Sequence, residues 1–372
     1  MAPPLQTTPR LRFLDALRGF DMFWIMGADA IGGALGQLRG GALTKVASRQ
    51  LDHVPWQGYH AYDLIFPLFV FMAGVAVPLS LGKYLESGDK GAALLRVLRR
   101  TVLLYVLGLF YYGGLAGSIE HVRLLGVLQR IALCYGAASV LFLYLRPRGL
   151  IATLAGLLVG YWLLLRFVPV PGFGPGDFAE GHNLTNWIDA HYLPWRKWDG
   201  DHDPEGLLST LPAIGTCLLG VLAGLYVKTT KRRGATMSLR LVLTGVALVG
   251  IGLLWGLEFP VIKKIWTSTF VLVAGGWSLI LLGVFHQVIE VMGWRKWAEP
   301  FVWIGANPLA LYLASNVVDF GALSARFTGG PVAAALNAVW PGLGAVTLAM
   351  TGALLCFLLA RFLYRRCVFI RL

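Results

Sequence analysis

Apolar residues fall along this chain in long runs separated by short polar stretches. Runs long enough to cross a bilayer as helices occur near residues 13–36, 60–82, 94–115, 122–145, 149–168, 207–227, 238–257, 267–290, 300–321 and 341–364. The pattern predicts an all-α membrane protein, a polytopic bundle of about ten transmembrane helices. It reads as one domain over residues 1–372. The fifth window ends at Arg166 and the ninth is interrupted by Pro308. Two long polar connections stand out, residues 37–59 and 169–206, the second rich in Gly, Pro, Trp, His and Asp. Loops of this length are commonly functional. No internal repeat is visible, so the two-halved design of many transporters is not indicated.

Composition supports the membrane reading. The chain is 57% hydrophobic and 14% charged, whereas soluble domains carry about 25% charged residues. The net charge of +13 does not point to nucleic acid, because the basic residues cluster between apolar runs. Alternate loops starting with the N-terminal side hold twenty Lys and Arg, and the opposite loops hold eight. That bias puts both termini in the cytoplasm and the loops 37–59 and 169–206 outside, in a multi-pass protein of the cell (inner) membrane. Arg10 and Arg12 precede the first window, but no small-residue cleavage site follows, so the first span is expected to be retained. The four cysteines form neither a CxxC motif nor a disulfide framework.

Polar residues that a bilayer should exclude carry the candidate chemistry. The first span holds Asp15, Arg18, Asp21 and Asp29. Charges in hydrocarbon need a partner or water, which makes them functional candidates. Asp15, Arg18 and Asp21 are spaced to pair on one helix face or to anchor the cytoplasmic end, whereas Asp29 has no local partner. His53 lies in the first outer loop and Asp63 opens the second span. An imidazole beside buried carboxylates can act as a general base near neutral pH. Arg123 and Arg130, seven residues apart, share a helix face. Anchoring explains the first, while the second suits an anionic ligand or a buried carboxylate. Asp203-Pro204-Glu205-Gly206 reads as an N-cap followed by proline and leaves Glu205 free to face a cavity. The outer histidines His60, His121, His182, His191 and His202 match no zinc spacing, so no metal is expected. Gly220 and Gly224 form a GxxxG pair suited to close helix packing.

Taken in order, these segments resemble the heparan-α-glucosaminide N-acetyltransferase family and its bacterial relatives among the transmembrane acyltransferases. The resemblance runs through Leu14-Asp15-Ala16-Leu17-Arg18-Gly19, the His53 loop and Asp63-Leu64-Ile65-Phe66-Pro67. It continues through Arg123-Leu124-Leu125-Gly126-Val127-Leu128-Gln129-Arg130 and Asp203-Pro204-Glu205-Gly206-Leu207-Leu208. It ends with Phe259-Pro260, Lys263, Trp266 and Gly305-Ala306-Asn307. The resemblance implies acetyl transfer from cytosolic acetyl-CoA, as co-substrate, to the amine of a terminal glucosamine across the membrane. It implies an essential histidine at His53 and a homodimer. It does not extend to the large lumenal domain that the animal enzymes carry ahead of their helices.

On this reading His53 takes a proton from the attacking amine while Asp29 or Asp63 orients the imidazole or the sugar. Arg18, Arg123, Gln129, Arg130, Asp203, Glu205, Lys263 and Asn307 are the expected contacts to acetyl-CoA or acceptor. Acetyl-CoA cannot cross hydrocarbon with its phosphates, so the bundle would carry the acetyl group from one side to the other. Direct transfer or an acetyl-histidine intermediate would both serve. The alternatives are a permease or sensor for amino sugars on the same scaffold, or acylation of another envelope glycan.

Overall fold

A computed structural model describes residues 11–114, 116–230 and 234–369. Arg10, Lys231, Arg232, Arg233 and Arg371, all part of the charge bias, lie outside the described residues. The α-helices, in order, are α1 (Arg12–Gln37), α2 (Ala42–Gln50), α3 (Ile65–Ser87), α4 (Lys90–Tyr111) and α5 (Val127–Tyr144). They continue with α6 (Pro147–Phe167), α7 (Leu184–Tyr192), α8 (Thr210–Thr229), α9 (Ala235–Trp255) and α10 (Ser268–His286). The last are α11 (Glu299–Gly305), α12 (Pro308–Val317), α13 (Phe320–Thr328), α14 (Gly330–Val339) and α15 (Leu343–Arg365). Among the described residues the β structure is limited to isolated bridges, Gln57 with Ile262 and Val170 with Gly174.

Among the described residues, seven helical segments are long and apolar enough to cross a membrane: Ala61–Ser87, which contains α3, then α5, α6, α8 and α9, then Ser268–Val291, which contains α10, and α15. An eighth arises if α12 and α13, bent by 70°, are one span. Two further windows coincide with helices of sufficient length, α1 with 26 residues and α4 with 22. Charges set these two apart: Asp15, Arg18, Asp21 and Asp29 in α1, and Arg96, Arg99 and Arg100 in α4. The ninth window, 300–321, is not one helix. It breaks after Gly305, and Pro308 starts α12, because proline brings no amide donor but suits a helix's first turn. Many apolar side chains face outward, including Leu95, Leu98, Val102 and Phe110 on α4 and Leu243, Val246 and Leu254 on α9. An apolar exterior of this kind is what a lipid solvent requires.

The described chain divides into two compact units. One takes in the chain through Leu51, the start of α9 up to Val242, and the residues from Leu281 onward. Here α1 packs against α11 at the closest approach of Gly19 and Gly305. A Cβ on Gly19 would meet the Phe301 carbonyl, and one on Gly305 the Asp15 carbonyl. Arg18 lies 3.5 Å from Asp15, one turn away on the same helix. Asp21 is fully buried, and among the described residues neither of its carboxylate oxygens has a hydrogen-bond partner.

The second unit comprises residues 52–231 and 243–280. Its α3 and α8 meet backbone to backbone. A Cβ on Gly74 would strike Cys217 and Val221, one on Gly220 the Phe71 carbonyl, and one on Gly224 the Val75 carbonyl. Small residues permit this approach where lipid supplies no hydrophobic drive between helices. Helix α4 begins at Asp89, whose side chain accepts from the Ala92 amide, and α7 begins at Asn183, which accepts from the Asn186 amide. The segment 256–267 between α9 and α10 is pinned by a buried apolar cluster of Tyr161, Leu165, Phe259, Ile262 and Ile265, with Trp56 and Phe178 packed on it.

Candidate functional site

The segment after Leu51 is held against the α9–α10 connection by the Gln57–Ile262 bridge and a hydrogen bond from the Gly58 amide to the Val261 carbonyl, 2.9 Å. The Trp56 indole donates to the Phe178 carbonyl at 2.9 Å and adds the loop 169–206 to the same layer. Trp266 adopts a positive φ of 51°, a conformation costly for a bulky residue. Its indole donates to Thr216 on α8 at 3.0 Å, which ties the connection to the bundle. Thr267 closes the turn, since its hydroxyl accepts from the Ile262 amide at 3.0 Å and the Phe270 amide at 3.3 Å.

This scaffold brings His53, Asp63 and Lys263 together. His53 Nδ1 is 2.8 Å from Asp63 Oδ1. Lys263 Nζ is 3.2 Å from the same oxygen, 2.8 Å from His53 Nδ1 and 3.2 Å from Nε2. Asp63 is 1% exposed and His53 about half exposed, at 49%. The other carboxylate oxygen, Oδ2, accepts from the backbone amides of His60, 3.0 Å, and Val54, 3.3 Å. Asp63 is thereby fixed from both sides. The Tyr62 ring stacks on the imidazole, with centroids 4.5 Å apart and planes 16° apart. When Nδ1 carries the ring proton it donates to Asp63, and the unprotonated Nε2 faces the Lys263 ammonium at 3.2 Å on a ring that solvent can reach. That arrangement can accept a proton from a nucleophile.

A second constellation lies deeper. Arg123 grips Asp203 in two bonds, Nε to Oδ2 at 2.9 Å and Nη2 to Oδ1 at 2.6 Å, and Nη2 also reaches Glu205 Oε2 at 2.5 Å. The rings of Tyr112 and Trp198 lie 4.5 and 5.0 Å from the guanidinium carbon. Asp203 further accepts from the amides of Trp198 and Glu205, each at 3.0 Å. Gln129 donates to the Arg123 carbonyl at 3.2 Å. Arg130 donates to the Gly206 carbonyl, 3.2 Å, and the Ser209 hydroxyl, 2.5 Å, and its guanidinium lies 4.9 Å from the Trp266 ring centre. Among the described residues neither its Nε nor its Nη1 has a hydrogen-bond partner, although the side chain is fully buried. Asp189 of α7 accepts from the Leu207 amide at 2.8 Å. Burial lifts its carboxyl to about 6, against the pull of that bond and of one from the Asp203 amide at 3.4 Å. Burial also pushes Glu205 upward, with the Arg123 charge opposing.

Of the residues expected from sequence, His53, Asp63 and Lys263 form one cluster. Arg123, Gln129, Asp203 and Glu205 form a second with Arg130 beside them. The Arg123 guanidinium is bonded to this chain's own carboxylates. Asp29, Arg18 and Asn307 belong to the other unit. Asp29 is exposed on α1, and the Asn307 amide donates to the Val368 carbonyl at 2.8 Å. Sequence reading missed Tyr62, Asp189, Ser209 and the aromatic pair around Arg123. Tyr62 could have been flagged as the neighbour of Asp63, whereas Asp189 gave no signal beyond lying in the long loop.

Residues 10–163 match a family described as a domain of unknown function, DUF5009. Over 372 aligned positions the chain is 28% identical to heparan-alpha-glucosaminide N-acetyltransferase of Homo sapiens, an alignment covering 84% of this chain and 53% of that protein. The protein of the same name from Mus musculus is 27% identical over 371 positions, covering 83% and 54%. The chain spans about half the length of the curated relatives it matches. The resemblance carried by the motifs is borne out, as a distant one.

Proposed function

We propose that this membrane protein transfers an acetyl group from cytosolic acetyl-CoA to the amine of a glucosamine-type sugar on the extracytoplasmic side, with His53 as general base. The observation that carries the proposal is the His53–Asp63–Lys263 cluster, which couples a reachable imidazole to a buried, fully bonded carboxylate. The similarity to heparan-alpha-glucosaminide N-acetyltransferases supplies the reaction class. The proposal includes an inner-membrane location with both termini cytoplasmic and assembly as a homodimer.

In the proposed step the amine lone pair attacks the thioester carbonyl carbon. The new C–N bond forms, the C–S bond breaks, and the CoA thiolate leaves. His53 Nε2 accepts the proton that the nitrogen sheds and returns it to the leaving sulfur. Asp63 acts as a positioning residue, since its bond to Nδ1 selects the tautomer with Nε2 unprotonated and stabilises the imidazolium once formed. The Lys263 ammonium, beside both, is placed to stabilise negative charge on the thioester oxygen. Arg123, Asp203 and Glu205 hold the end of the long loop at the bundle. Asp29 and Asn307 have no assigned step.

Proteoliposomes with acetyl-CoA on the cytoplasmic face and glucosamine on the other test the reading. The proposal expects acetylated sugar and free CoA in equal amounts, and stabilisation of purified protein by CoA. Sugar uptake without acetyl-CoA, and no acetylated product, would instead identify a permease.

A further inference from the structure

Three side chains of the second unit converge away from His53. Glu180, Asp199 and His202 each present a ligand atom, all within 4.8 Å of one another. His202 Nε2 is 3.6 Å from Glu180 Oε1 and 3.8 Å from Asp199 Oδ2. His202 is 5% exposed, and among the described residues its Nε2 has no hydrogen-bond partner. Its Nδ1 lies 2.6 Å from Asp201 Oδ1. A proton on Nδ1, donated to Asp201, leaves the Nε2 lone pair aimed at the two carboxylates. This carboxylate–histidine pairing is how metal-bound imidazoles are oriented.

The spacing suits a small divalent ion. Ligands about 2.0–2.1 Å from a tetrahedral zinc stand about 3.4 Å apart, so the two separations from His202 Nε2 need only a few tenths of an ångström of adjustment, and the Glu180–Asp199 pair starts from within 4.8 Å. The carboxylates already hold a cation, because Lys264 Nζ lies 2.7 Å from Glu180 Oε1 and 3.1 Å from Asp199 Oδ2. Glu180 is exposed, which leaves one side open to water or a ligand. The imidazole argues against magnesium or calcium, which favour all-oxygen sets.

We propose that Glu180, Asp199 and His202 form a divalent-cation site of the zinc class, in which the metal displaces the Lys264 ammonium. The site is invisible in the motif spacing because Glu180 lies nineteen residues before Asp199. It is also independent of the acetyl-transfer reading. The test is zinc titration of the purified full chain in detergent, followed by calorimetry and bound-metal analysis, with cobalt absorption as a check of geometry. Glu180→Gln removes an exposed ligand without threatening the fold, and Lys264→Met removes the competitor. The proposal expects one metal per chain, at least tenfold weaker binding in Glu180→Gln and at least tenfold tighter binding in Lys264→Met. Absence of saturable binding overturns it. So does saturable binding that either substitution leaves unchanged.

Discussion

Replacing Arg123 with methionine removes the cation from a buried group that holds two carboxylates. The guanidinium makes two bonds to Asp203 and one to Glu205, at 2.5–2.9 Å, and is 3% exposed. Methionine fills much of the volume, so the dominant loss is electrostatic: Asp203 and Glu205 stay buried without a counter-charge. Breaking one side of such a pair costs about 3–5 kcal/mol. For a unit of this size each kcal/mol moves the midpoint by about 2–4 °C, so the expected fall in Tm is about 6–20 °C. Thermal unfolding in detergent, followed by tryptophan fluorescence, reads it directly. The triple substitution Arg123→Met, Asp203→Leu, Glu205→Leu should recover part of the loss, because it removes the stranded charges as well. A single substitution costing below about 1 kcal/mol would mean the group behaves as a solvated surface pair, and the account of this clamp would be wrong.

Asp63→Asn keeps the shape but removes the charge that selects the His53 tautomer, so kcat should fall about 10²–10⁴-fold, with acceptor KM little changed in a steady-state acetylation assay. Asp189 titrates at about 6 rather than its ordinary 3.8. Its raised value favours the fold at low pH, so about 3 kcal/mol of stability should be lost as pH rises from ~4 through ~6. Asp189→Asn should flatten that part of a Tm–pH profile. Gly220→Val would drive a branched side chain into the Phe71 carbonyl and should cost about 1–3 kcal/mol or more, read as lower Tm and poorer recovery from membranes.

The helices were legible because lipid demands long apolar runs, and α3, α5, α8 and α10 follow their windows closely. The window at 300–321 failed because hydropathy does not register that Asn307–Pro308 interrupts the hydrogen-bond ladder between α11 and α12. His53 and Asp63 could be paired in advance, being ten residues apart around one loop. Arg123 and Asp203 are eighty residues apart, and no periodicity links them. Sequence marks Arg123 by its charge and Asp203 as an N-cap candidate, but cannot tell that the two are bonded to each other. His202 reads in sequence only as one of several outer histidines without zinc spacing, and Lys264 only as a loop charge, because their significance lies in a convergence of loops.

His53→Ala tests the central claim most directly. The imidazole is about half exposed and stacks on the Tyr62 ring at the edge of the core, so the variant should fold with only a modest loss of Tm. In proteoliposomes with acetyl-CoA and glucosamine on opposite faces, acetylation should fall at least 10²-fold. Near-normal acetyl transfer by a folded His53→Ala protein would contradict the account.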